Sequence, residues 1–286
     1  MRKWLFLALF LALCCLISPV SAGLVAYDGL DAAAGALSGV ASGWNLKAWD
    51  VQNQNQKYLV ASPGLTYGSL AVTGNRAVGG GDWVSSGIAI SMPAPWDPQN
   101  EWSPYCKQDS DFRYKAGAEG TTLWASFLVS CYQSGNDFSV SLTSRIDIPW
   151  WPGSGFKVGP SSNVWTLSET TGTASASTGV SCALNQTYLM ALKIDFIDAS
   201  SDRVTLYVDP TPGGSTPDVI GTSIMTTSDL NIGALTFYPG SGSNVGALDE
   251  IRFGTSYADV APVPEPATML LLGIGGVACI VRRRRK

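Results

Sequence analysis

Histidine is missing altogether from this chain of 286 residues. It is the side chain that titrates near neutral pH, a frequent general base and the commonest metal ligand. Its absence excludes Ser-His-Asp, Cys-His and His-zinc chemistry, so any catalysis here would have to run on carboxylates. Charge is sparse too, at 14% Asp, Glu, Lys and Arg. Long apolar runs are confined to the two ends, and between them no stretch has the period of a long amphipathic helix. Of 6 cysteines, Cys14, Cys15 and Cys279 fall in the terminal runs, which leaves Cys106, Cys131 and Cys182.

The ends read as export signals. Arg2 and Lys3 precede an apolar stretch from Trp4 to Ile17, and Val20 and Ala22 are the small residues of a secretory cleavage site. Residues 1–22 are therefore expected to be a signal peptide, cut by signal peptidase between Ala22 and Gly23. A lipoprotein signal at Cys14 is the other reading, but Leu13 is bulky where a small residue is wanted. At the far end, Pro264-Glu265-Pro266 precedes an apolar run from Ala267 to Val281 and then Arg282, Arg283, Arg284, Arg285 and Lys286. A full membrane span needs about 20 apolar residues, and this shorter run is interrupted by Gly273, Gly275 and Gly276. It predicts a short transmembrane helix suited to a transient hold, with the basic cluster kept in the cytoplasm; a plain permanent anchor is the alternative.

That order of parts, over Val263 to Lys286, resembles the bacterial PEP-CTERM sorting signal. The resemblance implies an exosortase, a membrane transpeptidase-like protease, as a partner during export. It further implies cleavage near Pro264-Glu265-Pro266, a transiently anchored precursor, and delivery to the cell surface or extracellular matrix.

Between Gly23 and Val263 there are 11 basic and 21 acidic residues, a net charge of −10 against −4 for the whole chain. Nucleic-acid affinity depends on neutralising phosphates, so such a surface excludes nucleic acid as a partner. In an oxidising compartment three cysteines predict one disulfide and one free thiol. Cys106 with Cys131 is the preferred pair, because Cys106 lies in a long loop; three buried thiols are the alternative.

The middle of the chain is a series of short alternating segments broken by Gly, Pro, Ser and Asn. Tyr188 to Ile197 puts Met190, Leu192, Ile194 and Phe196 on one face and Ala191, Lys193 and Asp195 on the other, the period of a half-buried strand. Arg203 to Val208 is its expected hairpin partner. Further strands are expected at Lys57–Ala61, Leu65–Val72, Gly87–Ser91, Thr122–Tyr132, Asp137–Thr143, Ile232–Tyr238 and Gly246–Phe253. Many strands and no helices predict an all-β, two-sheet antiparallel sandwich.

The stretch from Leu248 to Val260, with Asp249-Glu250-Ile251-Arg252-Phe253, resembles the closing strand of LamG-like jelly rolls in the concanavalin A-like superfamily. Tyr27-Asp28, Gly43-Trp44, Trp49, Leu65-Thr66-Tyr67, Thr122 to Leu128 and Val204 to Pro210 fit the same pattern. The resemblance implies a jelly-roll sandwich over residues 23–260, followed by the sorting signal at 261–286. It also brings in glycosidases of that fold, which use a Glu-x-Asp-x-x-Glu run on one strand. Glu101, Glu119, Glu169, Glu250 and Glu265 are too scattered to form it, so no catalytic residue is assigned.

Two proline-rich segments carry clustered aromatics: Trp96, Trp102 and Tyr105 in the first, Trp150 and Trp151 in the second. Stiffened flat rings suit stacking on sugars, and plugging of the sandwich ends is the alternative. Asp109, Asp111, Asp195 and Asp198 offer oxygen ligands for calcium, though no dense Asp-x-Asp-x-Asp loop is present and no cofactor is required. The expectation is an adhesive surface or matrix protein that binds exopolysaccharide. A carbohydrate-active enzyme and a structural coat protein are the alternatives.

Overall fold

The computed structural model describes residues 23–41, 45–51, 58–79, 86–90, 101–108, 113–133, 138–145, 153–218, 221–227, 229–238 and 245–263, with side chains omitted at 86–90. The terminal segments 1–22 and 264–286 lie outside them, as do Trp96, Trp150, Trp151, Asp109 and Asp111.

Two antiparallel sheets face each other. Across the nine-stranded sheet run Gly221–Thr227 (β16), Asp202–Val208 (β15), Thr187–Phe196 (β14), Thr121–Cys131 (β9), Gly246–Gly254 (β18), Arg76–Gly79 (β5), Leu59–Ala61 (β4) and Gly35–Ala36 (β2), while Leu24–Asp28 (β1) pairs β18. Across the seven-stranded sheet run Ser175–Ser181 (β13), Val164–Glu169 (β12), Gly155–Ser161 (β11), Ser139–Thr143 (β10), Ala234–Tyr238 (β17), Ser86–Ile90 (β6) and Leu46–Val51 (β3). A small ribbon of Cys106–Gln108 (β7) and Tyr114–Ala116 (β8) stands apart. The only α-helix among the described residues is the single turn Tyr257–Val260 (α1), closed by a capping box between Ser256 and Asp259.

The alternation read from β14 holds. Met190, Leu192, Ile194 and Phe196 enter the core between the sheets, and burial of each such side chain stabilises the fold by about 1.5–3 kcal/mol. A line of rings crosses that core, Tyr58–Phe237–Phe138–Trp165–Tyr188, with successive centroids 6.0, 5.9, 6.1 and 5.2 Å apart and the planes steeply inclined. Ala191 and Leu189 enter instead a second apolar cluster on the outer face, with Trp124, Leu128, Tyr257 and Val260. Leu65 and Leu70 belong to this cluster too, and the expected strand Leu65–Val72 is a loop that covers the nine-stranded sheet. Besides the Leu70 N–H bond to the Tyr67 carbonyl and the Ala71 N–H bond to the Pro262 carbonyl, its backbone hydrogen-bonds to side chains of β18.

Those bonds form a buried ionic knot. Asp249 and Glu250 have no exposed surface and Arg252 has 4%. Asp249 accepts from the Leu65 N–H at 2.7 Å and the Glu250 N–H at 2.8 Å. Glu250 accepts from the Thr73 N–H, from the Tyr27 hydroxyl at 3.1 Å and from Arg252 Nη2 at 2.5 Å. Arg252 also donates to the Ala71 carbonyl and lies 5.2 Å from the centre of the Tyr27 ring. Glu250 reaches this position through a bulge, where its φ is 53° and the register against β9 shifts between Asp249 and Arg252. On β1, Asp28 accepts from Leu30 N–H at 2.8 Å and Trp49 Nε1 at 2.9 Å. Burial, with Glu250 and Asp28 nearby, pushes the Asp249 carboxyl up to about 8, against its two backbone hydrogen bonds.

Asp195 is also more than a solvent-facing residue. Only 8% of it is exposed, and it accepts from Thr122 Oγ1 at 2.8 Å, Lys193 Nζ and Arg203 Nη2 at 2.8 Å. Burial raises its pKa, but the Lys193 and Arg203 bonds outweigh that and hold the carboxyl below its ordinary value.

Two expectations follow. Leu192→Asp places a charge in the inter-sheet core and should cost several kcal/mol, enough to abolish cooperative thermal unfolding, whereas Asp195→Ser should cost about 1–2 kcal/mol; equal losses by calorimetry would refute the register. Asp249 binds its proton more tightly folded than unfolded, so stability should fall as pH rises from its unfolded value of 3.8 to about 8, by at most about 1.4 kcal/mol per pH unit. In urea titrations across that range, Asp249→Asn should flatten the slope. The variant should also be about 1–3 kcal/mol less stable at pH 5, because an amide cannot accept both backbone bonds.

Candidate functional site

The outer face of the seven-stranded sheet is small and polar. Registers align Asp50, Gly87, Thr236, Ser141, Lys157, Ser168 and Ser175 in one row across all seven strands. Its centre is closed off, with Ser141 and Thr236 buried, whereas Lys157 and Ser175 are exposed. Toward this open side the row runs down to a cavity.

The cavity, of about 330 Å³, is lined by Lys115, Ser144, Ser154, Gly155, Glu169, Thr171, Gly172, Thr227, Asp229, Leu230 and Asn231. Topology explains the gathering: β10, β12 and β16 end there and β11 begins there, so both sheets contribute to one mouth of the sandwich. Glu169 links the sheets at this mouth, its Oε1 accepting from Thr227 Oγ1 at 2.9 Å and its Oε2 from the Ala174 N–H at 3.3 Å. Gly172 lets the 170–174 turn pass close over Glu169, since a Cβ there would collide with the carboxylate. Across the cavity, Lys107 donates to both oxygens of Asp229 at 2.8 Å, and Asn231 Nδ2 donates to Asp229 Oδ2 at 3.4 Å. Asp202 fixes the approach of this segment by accepting from the Leu230 N–H at 2.6 Å.

Chemically this is a hydroxyl, amide, ammonium and carboxylate lining with one aliphatic side chain, Leu230. It can exchange several hydrogen bonds with a polyhydroxylated ligand and offers little to an apolar one.

The structure rearranges the residues expected from sequence. Trp102 is wholly buried, 5.4 Å from Phe253, and Tyr105 is also buried, so both plug the core and neither offers a face to a sugar. Trp96, Trp150 and Trp151 lie outside the described residues; Ser144 and Ser154, which bracket the second aromatic segment, line the cavity. Asp195 and Asp198, expected as calcium ligands, are each engaged by other partners. Asp195 is held by two cations, and Asp198 caps its own hairpin turn by accepting from the N–H groups of Ser200 and Ser201 at 2.8 and 3.0 Å. Among the described residues no three His, Cys, Asp or Glu side chains gather as metal ligands. Cys106, Cys131 and Cys182 are all thiols in the structure, and the thiol that interacts with Cys131 is that of Cys182, where the sequence favoured Cys106.

Sequence reasoning missed Lys115, Thr171, Asp229 and Asn231, which come from separate segments with no shared local signature. Glu169 was noted only as one of five scattered glutamates.

Residues 262–286 match the PEP-CTERM protein-sorting motif. The motif marks an exported chain that an exosortase processes and sorts. Among the described residues no helix is long and apolar enough to cross a membrane. No curated protein matches the chain. Among solved structures it is similar to the globular domain of T. cruzi calreticulin, at 12% identity and TM-score 0.45 over 92% of this chain and 100% of that one. It is similar also to an endo-β-1,4-glucuronan lyase from Trichoderma reesei, at 12% identity and TM-score 0.40 over 82% and 97%. A third likeness is to Trypanosoma rangeli sialidase, at 12% identity and TM-score 0.41 over 84% of this chain but only 32% of that one. None of these likenesses bears on what the chain binds.

Proposed function

We propose that this exosortase-sorted protein is a surface or matrix adhesin whose sandwich binds exopolysaccharide at the polar cavity. The observation that carries the reading is the lining itself: donors from Lys115 and Asn231 and acceptors from Glu169 and Asp229 converge on about 330 Å³ with one aliphatic wall. That volume lies at the lower end of ligand pockets and suits one or two sugar rings. Trp150 and Trp151, which stand in sequence between the cavity residues Ser144 and Ser154, are included in this proposal as stacking rings.

Lys115→Ala and Asn231→Ala should each weaken retention of the exported protein in affinity electrophoresis through the host's exopolysaccharide by about tenfold, the loss of one or two hydrogen bonds. Trp150→Ala combined with Trp151→Ala should do at least as much. Melting temperatures should stay within a few degrees of wild type. Unchanged retention in all three variants would refute the cavity as the binding site.

A second reading, a carbohydrate-active enzyme, is favoured by one feature: Glu169 and Asp229 line the same cavity, as paired carboxylates do in glycoside hydrolysis. Release of reducing sugar by the purified protein, abolished by Glu169→Gln or Asp229→Asn, would select it. Absence of both binding and hydrolysis would leave a structural coat protein.

The sorting half of the proposal has its own test. In a host with an exosortase, mass spectrometry of the exported protein should find Arg282 to Lys286 gone. Alanines at Pro264, Glu265 and Pro266 should leave the precursor in the membrane fraction with that tail attached.

A further inference from the structure

Cys131 ends β9 in the nine-stranded sheet, and Cys182 follows β13 in the seven-stranded sheet. Nothing in their sequence neighbourhood pairs them, yet backbone bonds and one side-chain clamp fix the two segments beside each other. The Asn185 N–H donates to the Cys131 carbonyl at 2.8 Å, and the Cys182 N–H donates to the Asn163 carbonyl at 2.7 Å, which fixes Cys182 to the β11–β12 turn. Ser130, next to Cys131, pairs with Thr187 at the start of β14. The Tyr188 hydroxyl clamps both neighbours of Cys182, accepting from the Ala183 N–H at 2.7 Å and donating to the Ser181 carbonyl at 3.0 Å. Cys131 is buried in the inter-sheet core and Cys182 packs against the same core. The two thiols interact, which pushes Cys131 up and Cys182 down. Cys106 sits elsewhere, half-buried on β7.

We propose that Cys131 and Cys182 are joined by a disulfide once the chain is exported, a covalent staple between the two sheets. The step is a thiol–disulfide exchange with a protein disulfide as oxidant. One cysteine thiolate attacks a sulfur of that disulfide, the second attacks the mixed disulfide, and an S–S bond replaces two S–H bonds. The two electrons and two protons leave on the oxidant as its dithiol. Hydrogen bonding from Cys131 holds the Cys182 thiol below its ordinary value despite burial, which favours Cys182 as the first attacking sulfur. Cys106, raised by burial, stays outside the bond as a reduced thiol.

The bond would enclose the core strand β10, the β11–β12–β13 meander and the Ser144–Ser154 bracket of the cavity. Closing a loop of roughly 50 residues restricts the unfolded chain strongly, so reduction should lower the melting temperature by about 10 °C.

The full chain, exported through its own signal and purified without reductant, is alkylated, digested and analysed for linked peptides. A Cys131–Cys182 peptide pair with alkylated Cys106 is the expected result. A Cys106–Cys131 or Cys106–Cys182 link, or alkylation of all three, overturns the proposal. Because Cys131→Ser disturbs the core by itself, the stability arm relies on wild type and Cys182→Ser. Reductant should lower the melting temperature of wild type toward that of Cys182→Ser and leave the variant unmoved; a wild type insensitive to reductant is the contrary outcome.

Discussion

The ionic knot on β18 is the constraint that organises the rest. A pair of carboxyl groups and a guanidinium inside a sheet are costly unless their lone pairs and protons are matched, and matching most of them here recruits two separate pieces of chain. Tyr27 brings β1, the Leu65 and Thr73 amides bring the covering loop, and the Ala71 carbonyl takes a bond from Arg252 Nη2, while Arg252 Nη1 is buried without a partner among the described residues. The covering loop thus seals the second apolar cluster because its backbone satisfies buried charge. An apolar closing strand would fill the same space but would leave those amides without acceptors, and the loop without a fixed path.

Sheet position decides which strands were legible in the sequence. β14 and β15 have one face in the main core, so their alternation is strong and their hairpin was expected. β13 reads Ser-Ala-Ser-Thr-Gly-Val-Ser, an edge strand with more than half of its residues exposed, and carries almost no apolar signal; β11 is missed for the related reason that glycine, proline and serine interrupt it, whereas β12 is missed because its alternation, with Trp165 and Leu167 buried, is only a few residues long. The opposite error befell Leu65–Val72, where an apolar pattern serves a loop lying on a sheet. That Asp249 and Glu250 are both fully buried depends on partners some 180 residues away in sequence, which no local pattern reveals.

The same limit applies to the candidate site. Trp102 was singled out because proline-flanked aromatics suit sugar stacking, yet a ring's chemistry is the same in a core as on a surface, and only the fold assigns it to one. Cavity residues come from β8, from both sides of the 146–152 stretch, from the β12–β13 turn and from the segment after β16. They meet because four strands end at one mouth. The sorting signal shares no residue with the described lining of that mouth, so address and the proposed binding would be separable properties of one chain.

Ala261-Pro262-Val263-Pro264 carries the prolines of a stiff tether, but the fold stitches its start down: the Gly213 N–H donates to the Ala261 carbonyl at 2.8 Å and the Ala71 N–H to the Pro262 carbonyl at 3.0 Å. Chain reach then sets a geometric limit, because a chain advances by at most about 3.6 Å per residue. On the proposal that an exosortase cuts near Pro264-Glu265-Pro266, that enzyme would work flush against the sandwich or wait for the last stitches to open. The folded domain would then be a steric gauge on its own maturation, admitting a shallow catalytic cleft and excluding a deeper one.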